Sequence, residues 1–340
     1  MRVAVYGAYG YQGRLTVPEL IRRGIEPVLI GRNGDRLRAA AEVPDIADAD
    51  VRVAAIDDPG GMAGAFAGLD AVINCAGPFT LSGTAVARTA IAARCHYLDT
   101  SGEQLAIQRI YDTLCRDAEI AGVAVIPAVT DAGVPGDLVA HQLFDLLGSL
   151  DELISAHVFA GGGISRGSYR SFAAISATTQ SGGLSFFDGE WILDEPARRT
   201  SIVFPRATTA VPVVKFALQE VVSVPRHVQG VGDAELAAQL ATEVPPGFIE
   251  NLPEGPDDEA RNDQRFAIVL EAVATDGATA RGVIEGSDSY GTTAVIAAEA
   301  VRRLGTDGAP AGVLAPAQAF DPKSFLADLQ KFGIETDIRR

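Results

Sequence analysis

The chain has 340 residues, of which 47% are hydrophobic and 21% charged, the balance of an ordinary globular protein. This length exceeds what one hydrophobic core usually holds, so the sequence predicts two domains. The formal net charge of −16 argues against nucleic acid and against an anionic membrane surface as partners, because both would repel the chain.

The first predicted elements are a buried strand, a glycine-rich turn and a helix. Residues 2–6 are a short β-branched apolar run, and apolar residues recur at helical spacing after the turn. Glycines at such a turn let the backbone approach a diphosphate, and the N–H groups at the helix start attract its negative charge. The turn that we expect to bind a dinucleotide consists of Gly7, Ala8, Tyr9, Gly10, Tyr11, Gln12 and Gly13. A glycine-rich turn without a nucleotide is the alternative.

The residues after the second predicted strand, at 27–30, indicate which dinucleotide binds. An NAD site has an acidic residue there, which accepts a hydrogen bond from the ribose 2′-OH. This chain has Gly31, Arg32 and Asn33 instead. A planar guanidinium can hold a 2′-phosphate in a fork, so the sequence predicts NADP(H), with Arg32 as the selecting residue. A solvated surface arginine is the alternative.

Helices and strands then alternate as a doubly wound parallel sheet requires, which predicts an α/β domain of the Rossmann type. The predicted helices are 35–42, 62–67, 85–93 and 105–120, and the predicted strands are 51–56, 70–74, 96–99 and 123–126. The carboxyl ends of such strands face the dinucleotide. Ile56 and Asp57 are therefore candidate adenine contacts, although ordinary strand-end residues would look the same. Gly77 and Pro78 are candidate contacts of the nicotinamide half.

A different pattern after residue 130 predicts a second, α+β domain built on a mixed or antiparallel sheet. The predicted elements are a helix at 137–147, a strand at 152–159, a helix ending at 178, β-branched runs at 201–204, 217–224, 266–275 and 278–284, a helix plus an exposed loop within 229–265, and helices at 291–304 and 325–332. We expect an NADP-binding domain at 1–130, with 290–340 packing back on it, and an α+β substrate and dimerisation domain at 131–289.

Cysteine usage and the N-terminal residues indicate the compartment. Cys75, Cys95 and Cys115 have no C-x-x-C spacing, so neither a disulfide framework nor a metal site is predicted. A strand that begins at residue 2 leaves no room for a signal peptide, and no apolar run reaches membrane-spanning length. We expect a cytoplasmic protein.

Five stretches of the chain carry a family pattern. They are GAYGYQG at 7–13, GRN at 31–33, NCAGPF at 74–79, HYLDTSGE at 96–103 and DSYGTTA at 288–294. Together they resemble the saccharopine dehydrogenase-like oxidoreductases, a family that includes saccharopine reductases and trans-acting enoyl reductases. The resemblance implies an NADP-binding Rossmann domain, a mixed-sheet domain that covers the nicotinamide, and a homodimer.

The resemblance also implies roles for individual residues. The first three stretches would bind the cofactor, which adds Asn33, Cys75 and Ala76 to the cofactor site. The residues that would line the substrate cleft are Asp99, Ser101, Gly102 and Glu103. The region from about 180 to 265 matches poorly, and the family is functionally diverse, so the resemblance suggests a reductase and leaves the substrate open.

Hydride transfer needs little from the protein beyond a positioned nicotinamide, a shaped pocket and one proton donor at most. The candidate catalytic residues are Asp99, His141 and Tyr290. Asp99 ends a strand at the binding edge, where its carboxyl can orient the substrate or relay a proton, or can equally cap the following turn. His141 lies on a helix just past the last strand of the first domain. Tyr290 precedes a late helix and can present its hydroxyl or pack as surface.

Residues 163–167 match the G-x-S-x-G pattern of a hydrolase nucleophile elbow. The preceding nucleotide-type domain does not supply the strand order of such a hydrolase, which argues against that activity. A second anion site for a substrate carboxylate or phosphate fits better, and its residues would be Gly163, Ser165, Arg166 and Ser168. A capped helix with solvated polar residues is the alternative.

The sequence therefore predicts an NADP(H)-dependent oxidoreductase. It would transfer hydride to or from a C=N, C=C or C=O bond of a small-molecule substrate held in a cleft between the two domains. The alternative is an NADPH-sensing protein whose second domain binds a partner instead of a substrate.

Overall fold

The computed structural model describes residues 1–42, 49–179, 182–228, 233–238 and 249–340. These residues form two compact units. The first unit consists of residues 1–101, 106–130 and 293–314, and the second consists of residues 102–105, 131–292 and 315–340.

The first unit is built on a seven-stranded parallel sheet. Its strands are β1 (Arg2–Tyr6), β2 (Glu26–Gly31), β3 (Asp50–Val53), β4 (Ala71–Asn74), β5 (His96–Asp99), β6 (Ala124–Ile126) and β16 (Gly312–Val313). Their order across the sheet is β16-β6-β5-β4-β1-β2-β3, and every neighbouring pair is parallel. The order reverses between β1 and β4, which is the point where open sheets of this kind bind ligands.

The helices associated with this sheet are α1 (Tyr11–Arg22), α2 (Gly34–Ala41), α3 (Pro59–Phe66), α4 (Phe79–Ala92), α5 (Gln104–Ala121) and α10 (Ser289–Thr306). Short polar side chains cap two of them, because Asn33 accepts from the N–H of Arg36 and Asp58 accepts from the N–H of Gly61. The predicted doubly wound parallel sheet is confirmed.

The second unit contains a mixed eight-stranded sheet, a two-stranded sheet and several helices. Its strands are β7 (Glu152–Ala160), β8 (Leu184–Phe187), β9 (Glu190–Leu193), β10 (Ser201–Ile202), β11 (Val211–Pro212), β12 (Val214–Lys215), β13 (Asp233–Ala238), β14 (Arg265–Val273), β15 (Thr279–Ser287) and β17 (Glu335–Arg339). Its helices are α6 (Gly133–Leu147), α7 (Arg166–Thr178), α8 (Glu220–Ser223), α9 (Asp258–Asp263), α11 (Pro316–Ala319) and α12 (Pro322–Gln330).

The large sheet has the order β17-β15-β14-β7-β13-β8-β9, with β12 paired to β13. Only β13 and β7 run parallel among these described pairs, and the others are antiparallel. Alternate residues of β7 point to opposite faces of the sheet. Ile154 and Ala156 pack into an apolar core with Ile202, Phe204, Val213 and Val269, while α6 packs against β14 and β15. The predicted α+β architecture is confirmed.

Several predicted elements were wrong in detail. The run at 217–224 was predicted as a strand, but it contains helix α8 followed by a 3-10 turn at Val224–Arg226. Tertiary packing overrides the β-branched composition here, because Val221 and Val222 are buried and Glu220 contacts His157 of β7 at 2.7 Å. Strand β3 ends at Val53, three residues earlier than predicted.

Within 229–265, where a helix and a loop were predicted, residues 229–232 and 239–248 lie outside the described residues. Residues 233–238 form strand β13, and the helix is the short α9. The C-terminal part of the chain divides, since residues 293–314 belong to the first unit and residues 315–340 to the second. In the second unit, β17 pairs with β15 over five residues.

A buried network joins the carboxyl ends of β4, β5 and β6. The amide nitrogen of Asn74 donates to the hydroxyl of Tyr97 at 3.1 Å, and this hydroxyl donates to Oδ2 of Asp99 at 3.0 Å. Oδ1 of Asp99 accepts from the backbone N–H groups of Ser101 at 3.0 Å and of Ala128 at 2.9 Å. Asn74, Tyr97 and Asp99 are fully buried, so the network positions the loops that follow all three strands.

Replacing Tyr97 by phenylalanine tests this network. The substitution removes the hydroxyl that serves Asn74 and Asp99 and leaves buried polar groups unpaired, which should cost about 1–3 kcal/mol of unfolding free energy. Urea denaturation measures the change. The control is Thr113→Val, which removes an exposed helical hydroxyl and should change stability by less than about 0.5 kcal/mol. Equal stabilities of the two variants would contradict a structural role for the network.

Candidate functional site

The glycine-rich turn brings two segments of backbone unusually close together. Gly7 has a φ of +86°, and its N–H donates to the carbonyl of Ile30 at 2.8 Å. A Cβ on Gly13 would lie 2.4 Å from the carbonyl oxygen of Gly7, so only glycine fits there. The turn therefore connects β1 to α1 in one compact backbone conformation.

The N-terminus of α1 is built to accept an anion. Gly10 is its N-cap residue and, as a glycine, provides no side-chain cap. Helix N–H groups together with the helix dipole attract a phosphate. A Cβ on Gly7 would lie 3.0 Å from the Cβ of Ala76, so the predicted cofactor residues of the first and fourth strand ends are neighbours. This arrangement fits a dinucleotide diphosphate.

Helix α2, which follows β2, carries a second cationic residue near the predicted cofactor site, Arg36, which the sequence analysis missed. Gly31 leaves room for the ring of Tyr9, because a Cβ on Gly31 would lie 2.7 Å from Cε1 of that ring. The guanidinium of Arg36 lies 4.5 Å from the centre of the same ring. Asn33 caps α2 through the N–H of Arg36 at 3.0 Å, which fixes the first turn that carries this arginine.

Arg32 is exposed beside these residues. It and Asp57 act electrostatically on the buried hydroxyl of Tyr6, whose pKa is raised chiefly by burial and then by Tyr9. The predicted adenine contacts Ile56 and Asp57 follow β3, and the N–H of Ala54 donates to the carbonyl of Gly31 at 3.0 Å. The structure therefore brings the residues after β1, β2 and β3 to one edge of the sheet.

Cys75 and Ala76 follow β4. Cys75 contacts Thr16 of α1, and Ala76 lies next to Gly7 of the glycine-rich turn. The hydroxyl of Thr16 lies 3.8 Å from Sγ of Cys75, and the N–H of Ala76 donates to Oδ1 of Asn74 at 3.0 Å. Burial is the main cause that raises the pKa of the Cys75 thiol to about 12, and the Asp99 carboxylate adds to it. Gly77 and Pro78 continue this loop, and α4 begins directly after Pro78.

Of the three predicted substrate positions that follow β5, Gly102 and Glu103 lie in the second unit and Ser101 in the first. Ser101 is buried at the end of β5 and donates its N–H to Asp99. Glu103 is also buried, and its Oε1 accepts from the hydroxyl of Ser171 on α7 at 2.6 Å. Gly102 precedes it in the chain. Because Asp99 is fully buried and accepts three internal hydrogen bonds, its geometry is that of a positioning residue; its predicted catalytic role stays a prediction.

The start of α7 and the loop before it carry four of the predicted residues, and Tyr290 contacts two of them. The hydroxyl of Tyr290 accepts from the N–H of Ser165 at 2.7 Å and lies 2.9 Å from Oγ of Ser168. Oγ of Ser165 accepts from the N–H of Ser168 at 3.1 Å and so caps the helix. Arg166 donates to the carbonyl of Leu252 at 2.9 Å. Gly163 lies near Pro256, since its Cβ would be 3.4 Å from that ring. The contact between Ser165 and Tyr290 could not be predicted from the sequence, because the two residues are 125 positions apart.

His141 ends a chain of three side chains, two of them on α6 and the third, His227, directly after the 3-10 turn at Val224–Arg226. Its Nδ1 lies 3.0 Å from Nδ1 of His227, and Nε2 of His227 lies 2.9 Å from Oδ2 of Asp137. Oδ1 of the fully buried Asp137 accepts from the N–H of Ala317 at 2.8 Å. An ionised carboxylate only accepts, so Nε2 of His227 is the donor to Asp137, and the direction of the bond between the two Nδ1 atoms depends on the tautomers of the two rings.

Comparison with known proteins identifies the first of the two units. The family model described as the saccharopine dehydrogenase NADP binding domain matches residues 3–128. Residues 3–128 are thus similar to the NADP-binding domain of this family. The matched residues include the glycine-rich turn, Arg32 and the buried network of Asn74, Tyr97 and Asp99. The match indicates NADP(H) as the cofactor.

Curated relatives match the same part of the chain. The trans-acting enoyl reductase of Mycobacterium tuberculosis is 28% identical over 146 residues, which cover 42% of this chain and 35% of that protein. The lipid droplet localized protein of Caenorhabditis elegans is 30% identical over 151 residues, with the same coverage of 42% and 35%. The chain thus spans about a third of the length of these relatives.

Solved structures are similar over the whole chain. The apo saccharopine dehydrogenase (L-Glu forming) of Saccharomyces cerevisiae superposes with a TM-score of 0.63 at 14% identity and covers 100% of both chains. At this identity the likeness concerns the fold. No helix among the described residues is long and apolar enough to cross a membrane.

The cysteine pKa values predict a pattern of alkylation. Burial raises the pKa of Cys75 to about 12 and that of Cys95 to about 11, so both thiols stay protonated at pH 8, and only the thiolate attacks iodoacetamide. We expect Cys115, which is half-buried as Cys75 is, to react at least about tenfold faster than Cys75 or Cys95, as measured by peptide mass spectrometry. Protein unfolded in urea is the control, in which all three should react. Equally fast alkylation of Cys75 in the folded chain would contradict this prediction.

Proposed function

We propose that the chain is an NADP(H)-dependent oxidoreductase that transfers hydride to or from a C=N, C=C or C=O bond of a small metabolite. The observation that carries the proposal is the tight glycine turn that places the glycine-capped N-terminus of α1 at the switch point of a parallel sheet matching an NADP-binding domain. When bound, the nicotinamide supplies the hydride. The residues of the chain bind and orient it.

The binding roles follow from the geometry. The N–H groups at the start of α1 would hold the diphosphate, because a helix N-terminus attracts anions and the N-cap glycine lets a diphosphate approach the backbone. Arg32 and Arg36 would hold the 2′-phosphate, since both are exposed cations in or directly after the loop that follows β2. The ring of Tyr9 keeps the guanidinium of Arg36 in place, which lowers the entropy lost on binding.

The hydrogen-bond partners of each predicted catalytic residue decide which of them we propose for proton transfer. The three internal hydrogen bonds of Asp99 favour a role in positioning the loops after β4, β5 and β6. Tyr290 accepts from the backbone N–H of Ser165 and lies 2.9 Å from Oγ of Ser168, and His141 lies 3.0 Å from His227, so each belongs to a polar side-chain cluster suited to moving a proton. We propose Tyr290 and His141 as the two candidates for proton transfer.

The domains and the substrate are also proposals. We propose that residues 1–130 form the NADP-binding domain, and that residues 131–289 form the α+β domain that binds substrate and a second copy of the chain. Because the relatives are named trans-acting enoyl reductases, a C=C bond conjugated to a carbonyl is the first substrate class to test. The cytoplasmic location and the homodimer stay predictions.

NADPH oxidation tests the activity directly. A panel of enoyl compounds, imines and ketones should include at least one compound that oxidises NADPH. The loss of NADPH absorbance measures the reaction. The Gly13→Val variant should show no turnover, because its side chain would displace the carbonyl of Gly7 and close the turn to the diphosphate. Tight NADPH binding with no turnover on any class would favour the sensing protein instead. Absence of NADPH binding would contradict both functions.

The two arginines predict a discrimination between cofactors. Arg32→Ala should weaken NADPH binding by about tenfold or more, because a charge-assisted contact to the 2′-phosphate is lost, and should change NADH binding by less than about twofold. Arg36→Ala should act in the same direction. The control is Arg38→Ala on the same helix, where the arginine pairs with Asp35. Calorimetry measures the affinities, and equal losses for NADPH and NADH would rule out the 2′-phosphate role.

A further inference from the structure

Asp137, His227 and His141 form a continuous line of polar side chains within the second unit. Nε2 of His227 lies 2.9 Å from Oδ2 of Asp137, and its Nδ1 lies 3.0 Å from Nδ1 of His141. Both ring nitrogens of His227 therefore contact a group that can share a proton. Among the four histidines of the chain, all of which the structure describes, these are the two whose rings contact each other.

Two packed elements hold the three side chains in this order. Asp137 and His141 are four residues apart on α6, so they lie on the same face of the helix, one turn apart. His227 follows the 3-10 turn that packs against α6, and its N–H donates to the carbonyl of Val224 at 3.2 Å. The ring centres of the two histidines are 5.1 Å apart. The backbone of both elements therefore fixes the contact between the rings.

The line runs from a fully buried end to a half-buried end. The side chain of Asp137 is 0% exposed and that of His227 is 4% exposed, whereas His141 is half-buried. Oδ1 of Asp137 accepts from the N–H of Ala317 at 2.8 Å, and the carboxylate stabilises positive charge on the ring of His227. Because Nδ1 of His141 faces His227, Nε2 of His141 is the atom of the line that can exchange a proton with a group outside it.

The distance between the two rings limits the line to one added proton. Two imidazolium cations with Nδ1 atoms 3.0 Å apart repel each other, and both atoms would be donors without an acceptor. With one added proton, His227 is the cation beside Asp137 and donates to Nδ1 of His141, whose Nε2 carries the outer proton. Without it, Nδ1 of His141 donates to His227, and Nε2 of His141 is unprotonated. The two states differ by one proton at Nε2 of His141 and by the charge on His227.

Other charged residues lie on α6 and on the elements that pack against it. They are Asp145 of α6 itself, Glu220 of α8, Arg226 of the 3-10 turn, and Lys323 and Asp328 of α12. Glu220 is paired with His157 at 2.7 Å, and the guanidinium of Arg226 lies 4.6 Å from the ring centre of Trp191. Asp145 is exposed one turn after His141 and favours a proton on its ring. Salt screens this exposed carboxylate much more than the buried Asp137, so a titration at high salt reports the buried partner.

We propose that Asp137, His227 and His141 act as one proton relay, in which Nε2 of His141 exchanges the proton and Asp137 and His227 are positioning residues. Its part in the reaction rests on the proposed function, because all three residues lie in the α+β domain proposed to bind the substrate. When NADPH reduces the double bond, one of its atoms takes the hydride and the other takes the proton from Nε2 of His141. The Nδ1 proton of His227 then shifts to Nδ1 of His141, and both rings become neutral. A proton from water restores the first state.

Nitrogen NMR of the histidine rings tests the relay on the full chain without any substrate. Protein labelled with 15N-histidine gives four ring systems that can be followed against pH at about 0.5 M salt, where exposed charges are screened. The rings of His141 and His227 should titrate with one shared midpoint in native protein, because a single proton is divided between them. Separate midpoints for the two rings would overturn the relay.

A matched pair of variants assigns the shared titration to the relay. His227→Gln keeps a donor for Asp137 but removes the ring, so the midpoint of His141 should fall by at least about 0.5 pH unit, because the positive charge can no longer move next to the carboxylate. The control is His157→Gln, the same change at the other histidine bonded to a buried carboxylate, which should move this midpoint by less than about 0.2 unit. An unmoved His141 midpoint in His227→Gln would refute the relay.

The pH dependence of kcat/KM tests whether the relay serves the reaction, with a compound that oxidises NADPH. Reduction consumes the added proton, so kcat/KM should fall as the pH rises through the shared midpoint. His227→Gln should move this fall to lower pH and reduce kcat by about tenfold or more, with KM within about twofold, whereas His157→Gln should leave the profile in place. Identical profiles in the two variants would overturn the relay and leave the oxidoreductase standing. Absence of turnover with every compound would contradict the proposed function, whereas the shared titration is decided by the NMR spectra alone.

Discussion

The close approach of Gly13 to the carbonyl of Gly7 is the constraint on which the rest of the site depends. A single Cβ at this contact would lie 2.4 Å from the oxygen, so the turn exists only with glycine. The same turn leads into α1, whose N-cap is Gly10. In the same turn the ring of Tyr9 lies against Gly31, and the guanidinium of Arg36 lies over this ring. The proposed diphosphate site and the proposed 2′-phosphate site therefore share one turn of backbone.

The buried network of Asn74, Tyr97 and Asp99 is a second constraint, because it fixes the loops that follow β4, β5 and β6. Asn74, Tyr97 and Asp99 connect the ends of three parallel strands, so that the loops carrying Ala76, Ser101 and Ala128 are held by hydrogen bonds. A polar network of this kind stabilises only when every member is paired. Burial and Asp99 raise the pKa of Tyr97 well above its ordinary value, so its hydroxyl stays a donor.

The parts of the fold that follow from local sequence were predictable. The strand, turn and helix at the start of the chain depend on spacing within thirteen residues, and the polarity of Arg32 at the end of β2 depends on one position. The run at 217–224 was predicted wrongly because β-branched composition describes a strand only where the surroundings are a sheet, and here the valines pack as a short helix.

Contacts between residues far apart in sequence could not be predicted. Tyr290 meets Ser165 across 125 positions, and His227 joins Asp137 to His141 across about ninety. Arg36 was missed although it lies only four residues past Arg32, because its role depends on where the ring of Tyr9 lies. Its one local signal is the Asn33 cap, which places residue 36 in the first turn of α2.

A crystal structure of the full chain with NADP⁺ tests the central claim most directly. The account predicts the diphosphate over the N–H groups at the start of α1 and the 2′-phosphate within hydrogen-bond distance of Arg32 or Arg36. A complex in which the diphosphate lies away from the glycine turn, or crystals that take up no cofactor at saturating concentration, would contradict it.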